Sequence, residues 1–226
     1  HTNNFTSTSF NDLATVAVSG TSISVADLND SITQANTATT NPTNTVFSVS
    51  SGATITTGDE AAFTTLLTNE DNGNIDITDQ NLTVSSGTIS VTNANSLNGT
   101  TTGTVTASID VTESVDTLVT LSGTGAYTID IRSEDATNST AAEFNTINNA
   151  TTVAIDASEV TALASSNLSD VKTLLTAAND TDQFTDSTGK VSFGGLTGVT
   201  IADATVDVSD FNAAVTQANT ATGQTT

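Results

Sequence analysis

Residues 8–39, TSFNDLATVAVSGTSISVADLNDSITQANTAT, and residues 191–222, VSFGGLTGVTIADATVDVSDFNAAVTQANTAT, align without a gap at an offset of 183 residues, Thr33 onto Thr216. The phrase TQANTAT is common to both, at Thr33–Thr39 and Thr216–Thr222. Upstream of it, Ser9 and Phe10 meet Ser192 and Phe193, Leu13 meets Leu196, and Val16 meets Val199. Ile23 and Val25 meet Val206 and Val208, Leu28 meets Phe211, and Ile32 meets Val215. Apolar character persists where identity is lost, which shared composition alone does not produce. The two stretches are copies of one unit, and units that cannot bury an apolar face alone are expected to stack.

The local reading of the unit is a short strand, a cap and a short helix. Alternating Ile-Ser-Val (Ile23–Val25) and Val-Asp-Val (Val206–Val208) have the period of two of a strand. Ser, Asp or Asn follows where a helix N-cap is wanted. Looser echoes stand at Ile89–Leu97 (ISVTNANSL) and Val153–Leu163 (VAIDASEVTAL). Thr57-Gly-Asp-Glu60 reads as a capping box before Phe63, Leu66 and Leu67, and Thr140-Ala-Ala-Glu143 as another before Phe144 and Ile147. Leu168, Val171, Leu174 and Leu175 predict a helix over Leu168–Ala178. NIDITDQNLTVSS, TGTVTASIDV, TLVTLSG, AYTIDIRS and KVSFGG read as strands.

The expected fold is therefore β-rich with short helices, an α/β repeat whose strand–cap–helix units form an elongated, parallel, solenoid-like array. The alternative is a tandem of β-sandwich adhesin modules with the helices as connections. The expected divisions are residues 1–45 (terminal repeat unit), 46–110 and 111–183 (strand and helix repeats), and 184–226 (second copy of the terminal unit).

Charge narrows the function. The 226 residues carry 25 Asp and Glu against three Lys and Arg, a formal charge of −22. Nucleic-acid binding needs cations to neutralise phosphate, so that class is excluded. Insertion into a membrane is not expected, because no apolar run approaches the ~18–20 residues of a spanning helix. The carboxylates outnumber their counter-charges, so they face water or bind metal, and a saline exterior would screen their repulsion. Cys and Met are both absent, which removes thiol chemistry and disulfides. Without an initiator Met, His1 is expected to follow a removed leader or to begin a piece of a longer protein.

The candidate metal site lies in Thr68–Asp79, where Gly73 has the spacing of a calcium-loop glycine. Glu70, Asn72, Asp76 and Asp79 would supply oxygen ligands to Ca2+, although Thr68 stands where such a loop wants Asp. The competing reading is an Asn-Gly turn between a helix and a strand. A second acidic loop, Asn179–Asp182 with Asp186, reads as a solvated connection. N-x-[ST] triplets occur at Asn4, Asn29, Asn81, Asn98, Asn138, Asn149, Asn167 and Asn179, as chance predicts for this composition. Catalysis is not expected. The one His is terminal, no phosphate loop or G-x-S-x-G elbow is present, and one Tyr with no Trp gives no platform for gripping sugars.

Threonine makes up about a fifth of the chain. Together with phrases such as TISVTNANSLNGTTTGTVTASI and GAYTIDI, this style resembles the repeats of giant cell-surface proteins of marine cyanobacteria and related aquatic bacteria. The resemblance implies export and a role as stalk, adhesin, sheath or filament. The expected function is an extracellular, cell-surface structural protein that self-associates head to tail as a homopolymer. The alternative is a passive stalk of a long adhesin, stabilised by calcium, whose glycan or surface ligand the sequence does not name.

Overall fold

Short strands joined by helices have one economical way to pair, which is side by side and parallel, because a parallel partner needs a crossover and a helix supplies it. The computed structural model of the protein describes residues 13–38, 45–132, 136, 138–180, 182–185, 193 and 195–221. It divides into two units, His1–Ala107 and Ser108–Thr226.

In the first unit, β1 (Thr15–Val18) and β2 (Ser22–Ser24) lead into α1 (Val25–Ala38). β3 (Val46–Val49) and β4 (Thr54–Thr56) lead into α2 (Glu60–Asp71), and β5 (Ile75–Asp76) and β6 (Asn81–Thr83) into α3 (Val91–Thr100). β7 (Val105–Ser108) follows. The strands pair in the orders β1-β3-β5 and β2-β4-β6-β7, all parallel. Val16 lies beside Phe47, and Ile23 beside Ile55, which lies beside Leu82, itself beside Val105. Ile55, Leu66 and Leu82 are fully buried, as is Phe63 on the inner face of α2.

The second unit contains α4 (Val115–Leu118), β8 (Ala126–Thr128), α5 (Ala141–Asn149), β9 (Ile155–Asp156), β10 (Ala162–Ser166), α6 (Leu168–Ala178), β11 (Phe184–Thr185), β12 (Gly198–Ile201) and α7 (Val208–Ala221). β9 pairs with β11 and β10 with β12, again parallel. The core holds Tyr127, Phe144, Ile147, Leu174, Phe184 and Phe193. Phe193 meets Phe144 edge-on at 5.7 Å and Phe184 at 5.4 Å, separations at which aromatic pairs attract beyond their buried area.

The fold is mixed α/β and not β-rich. Each helix except α4 is longer than any strand, and the threonines are accommodated in a particular way. In helices they fold their hydroxyls back onto the carbonyl one turn earlier: Thr33 onto Asn29, Thr64 onto Glu60, Thr173 onto Ser169 and Thr216 onto Asn212. The hydroxyl is thus satisfied inside the helix, which removes much of the strand bias of a Thr-rich sequence. Since β1-β3-β5, β2-β4-β6-β7, β9-β11 and β10-β12 all pair in parallel, antiparallel β-sandwich modules do not describe these strands.

Local assignments divide in the same physical way. α6 spans the residues that its apolar stripe predicts, and the Thr140–Glu143 capping box is present in both directions. Thr57, however, does not cap α2. It has φ of 64°, and the cap is Asp59, whose carboxylate accepts from Ala62 N at 2.9 Å. A charged acceptor at a helix N-terminus outcompetes a hydroxyl. Within TLVTLSG, Thr117 and Leu118 belong to α4 because Ser114 caps them, accepting from Thr117 N. Val206-Asp-Val208 is no strand either: Asp207 accepts from Ser209 N at 2.8 Å and opens α7. VAIDASEVTAL holds β9 and the start of β10 with a turn between them, and no helix. Most of KVSFGG, including Lys190, lies outside the described residues.

Phe144→Ala should cost about 3–5 kcal/mol, because it removes a fully buried ring from an aromatic cluster and leaves a cavity beside Phe193. Urea denaturation followed by Tyr127 fluorescence reads this directly, since the chain has no Trp.

Candidate assembly surface

The two sequence copies meet different surroundings. In the first, Val25, Leu28 and Ile32 point inward from α1 and are 0, 3 and 1% exposed. Their aligned partners on α7, Val208, Phe211 and Val215, are 72, 43 and 43% exposed, and Val206 is 40% exposed. The same unit is covered once and bare once.

The cover in the first copy comes from the segment that follows it. α1 packs on α2. Val25 Cγ1 lies 2.2 Å from where a Cβ on Gly58 would be, so only glycine admits this approach. Asn29, itself buried, donates from Nδ2 to the Ala62 carbonyl at 2.9 Å and accepts from Asn69 Nδ2 at 3.1 Å. In the second copy the aligned Asn212 is exposed. Val208, Phe211 and Val215 recur at helical spacing along one side of α7 and are open together, unlike scattered surface residues, and such patches mark interaction sites.

The residues of the candidate cation loop take the following places. Glu70 ends α2, Asn72 is its C-cap, and Gly73 at φ of 69° turns the chain directly into β5. Asp76 accepts from the backbone N–H of Thr78 at 3.0 Å and from its hydroxyl. Asp79 accepts from the Gln80 amide, which also reaches the Val49 carbonyl at 3.4 Å. Among the described residues no three His, Asp or Glu side chains are grouped so as to hold a metal ion, so Glu70, Asp76 and Asp79 are not gathered into one cage. In the second acidic loop Asp180 accepts from Asp182 N at 3.0 Å and from Gln183 Nε2 at 3.1 Å, closing a turn. Asp186 lies outside the described residues, as does Asn4. Of the glycosylation triplets, Asn29 is buried.

A cavity of about 770 Å3 opens between α5, α6 and the approach to α7. Its charged groups are already engaged. Lys172 Nζ meets Asp210 at 2.6 Å, a partly exposed pair of the kind worth at most about 1 kcal/mol. Asp203 accepts from the Leu168 backbone N–H at 2.6 Å, capping α6 where the Asn167 side chain makes no cap bond.

A regular use of aspartate, which the sequence reading missed, runs through these turns. Asp76-Ile-Thr78, Asp110-Val-Thr112, Asp156-Ala-Ser158 and Asp207-Val-Ser209 each close on the backbone N–H two residues ahead. The readable signal is D-x-[ST] immediately after an apolar residue. Chiefly through the Thr78 hydroxyl, Asp76 is held below the usual carboxylate range. The Thr112 backbone N–H, then its hydroxyl, does the same for Asp110. Asp130 departs from the pattern and is raised, first by burial and then by the charge of Asp156, with Arg132 opposing. Asp130 bridges to Asp156 in parallel register, so two carboxylates stand side by side.

No protein-family model matches the chain, and no curated protein or solved structure matches it.

A raised folded pKa means that ionised Asp130 opposes folding at neutral pH. That opposition fades as pH falls through the folded pKa and is gone below the unfolded value. Asp130→Asn should therefore raise the urea midpoint at neutral pH and leave it unchanged at about pH 3. Asp76→Asn should lower it at neutral pH, with the loss vanishing in acid as the wild-type carboxylate protonates.

Proposed function

We propose that this chain is an extracellular structural protein of the cell surface, a solenoid-like array of strand–cap–helix units that self-associates into a filament, sheath or surface layer. The observation that carries the reading is the bare apolar face of α7, set against the covered face of the same sequence unit on α1. A unit built to be covered on that side, and not covered there among the described residues, calls for a neighbour of its own kind.

Parallel pairing between successive strand–helix segments supports the solenoid part of the reading, because it leaves an edge strand on which another parallel strand fits. Composition supports the location. A chain with 25 acidic and three basic residues suits a saline exterior, where salt screens its repulsion. Exposed threonines and serines of its helices, among them Ser31, Thr37, Thr64, Thr68, Ser96, Thr173 and Thr216, tie their hydroxyls to their own backbone.

Purified protein in physiological or higher salt should form long polymers visible by electron microscopy and light scattering. Assembly should weaken as salt is removed, since the Debye length grows from about 8 Å at 0.15 M to roughly 30 Å at 0.01 M. A strictly monodisperse monomer at high concentration and high salt would sink the reading.

A further inference from the structure

We infer that β12 and α7 form a seat for the first strand–helix segment, β1 with β2 and α1, of a second copy of this chain. The inference rests on the self-associating reading above and adds to it the two surfaces and their register.

Each surface already has a partner of the required kind within the chain. On its trailing side the unit is covered in the first copy, where α2 closes over Val25 and Asn29. On its leading side it is covered in the second copy, where α7 packs on α6 and β12 pairs with β10. There Ala214 is buried, Gln217 Nε2 donates to the Thr176 hydroxyl at 2.9 Å, and Ala202 N donates to the Ser166 carbonyl at 2.8 Å. In the first copy the leading side is open among the described residues. Ser31, which aligns with Ala214, is exposed, and β1 is the edge strand of β1-β3-β5. Among the described residues, then, nothing covers the trailing side of the second copy or the leading side of the first, and the kind of surface that each would take is present on the other.

Register follows from the alternation of side chains. Val199 and Ile201 of β12 are half-buried, with Gly198 and Thr200 exposed; Val16 and Val18 of β1 are half-buried, with Thr15 and Ala17 exposed. Within the chain, β1 places Val16 beside Phe47 and Val18 beside Val49. The same phase sets Val199 beside Val16 of the second copy, Thr200 beside Ala17, and Ile201 beside Val18. A slip by one residue would turn the apolar positions outward. On the helical side the seat consists of Val208, Phe211, Asn212 and Val215. None is charged, as close approach between two chains of −22 requires. Because the two surfaces differ, each added copy presents a fresh seat and the assembly stays open.

The absence of cysteine allows a clean test. Ala17→Cys and Thr200→Cys chains, each altered at an exposed position, are mixed and oxidised mildly. Paired positions on adjacent strands lie about 4.8 Å apart, within disulfide reach. The mixture should cross-link Ala17→Cys to Thr200→Cys faster than either variant cross-links to itself, and a chain carrying both changes should give a ladder of oligomers on a non-reducing gel. Val208→Asp and Asn212→Asp, each at an exposed site and each adding a carboxylate to a face that meets Asp27 of the incoming copy, should lose polymer while keeping the melting midpoint that the wild type shows when dilute and unassembled. If the unaltered chain polymerises but the mixed pair does not cross-link and Val208→Asp and Asn212→Asp still assemble, this seat is wrong while self-association stands. If the unaltered chain does not associate, both readings fall.

Discussion

Val25 and Gly58 set the constraint on which the first unit depends. A valine at the start of a helix is driven inward, yet its own strands and helix cover only one side of it. The other side is closed by the next segment, and that segment comes so close that its chain has no room for a side chain at Gly58. Gly103 shows the same thing against backbone, since a Cβ there would lie 2.2 Å from the Gln80 carbonyl oxygen. Strands of two to five residues cannot stand alone. They persist because neighbouring strands hydrogen-bond to one another and, within each unit, helix packs on helix, α1 on α2 and α2 on α3 in the first, α4 on α5, α5 on α6 and α6 on α7 in the second.

Polar side chains carry the same lateral logic. Glu60 Oε1 accepts from Ser90 N at 2.9 Å, from the Ser90 hydroxyl and from Asn93, so a residue at the start of α2 braces the N-cap of α3. Asn145 donates to the Asp170 carbonyl at 3.0 Å, and Thr101 donates to the Gln80 carbonyl at 2.6 Å. Each such bond contributes only about 0.5–1.5 kcal/mol net, but a buried partner left unsatisfied would cost more. The bonds therefore select one lateral register more than they add stability. Asn, Gln and Thr do this without adding charge.

What the sequence shows and what it hides follow from the same division between short and long range. The duplicated unit is legible because apolar positions survive where identities do not, and α6 is legible because four large apolar residues fall at helical spacing. The cap of α2 was misassigned because Thr57 and Asp59 are both good caps, and the choice depends on Glu60 being wanted by Ser90, 30 residues on. Thr117 and Leu118 look like strand residues until the Ser114 hydroxyl is counted. The bare face on α7 was half visible: the sequence reveals the duplicate, but only the structure reveals that one copy is roofed. In the candidate cation loop the spacing of the acidic residues is legible, whereas the bonds of Asp76 to Thr78 and of Asp79 to Gln80 are seen only in the structure.

The acidity of the chain then has a local origin. Aspartates sit where strands end and helices begin, because there a carboxylate accepts backbone N–H groups that nothing else would satisfy: Asp76, Asp110, Asp156 and Asp207 at turns, Asp59 and Asp203 at helix starts. A fold with many short elements has many such ends, and negative charge accumulates as a by-product. Where two of these ends lie side by side, as at Asp130 and Asp156, the charges disfavour one another. In the proposed self-association, electrostatics would oppose growth even as apolar burial favoured it. The balance would be easiest to meet at a face whose exposed residues are Val, Phe and Asn, in a medium salty enough to screen the rest.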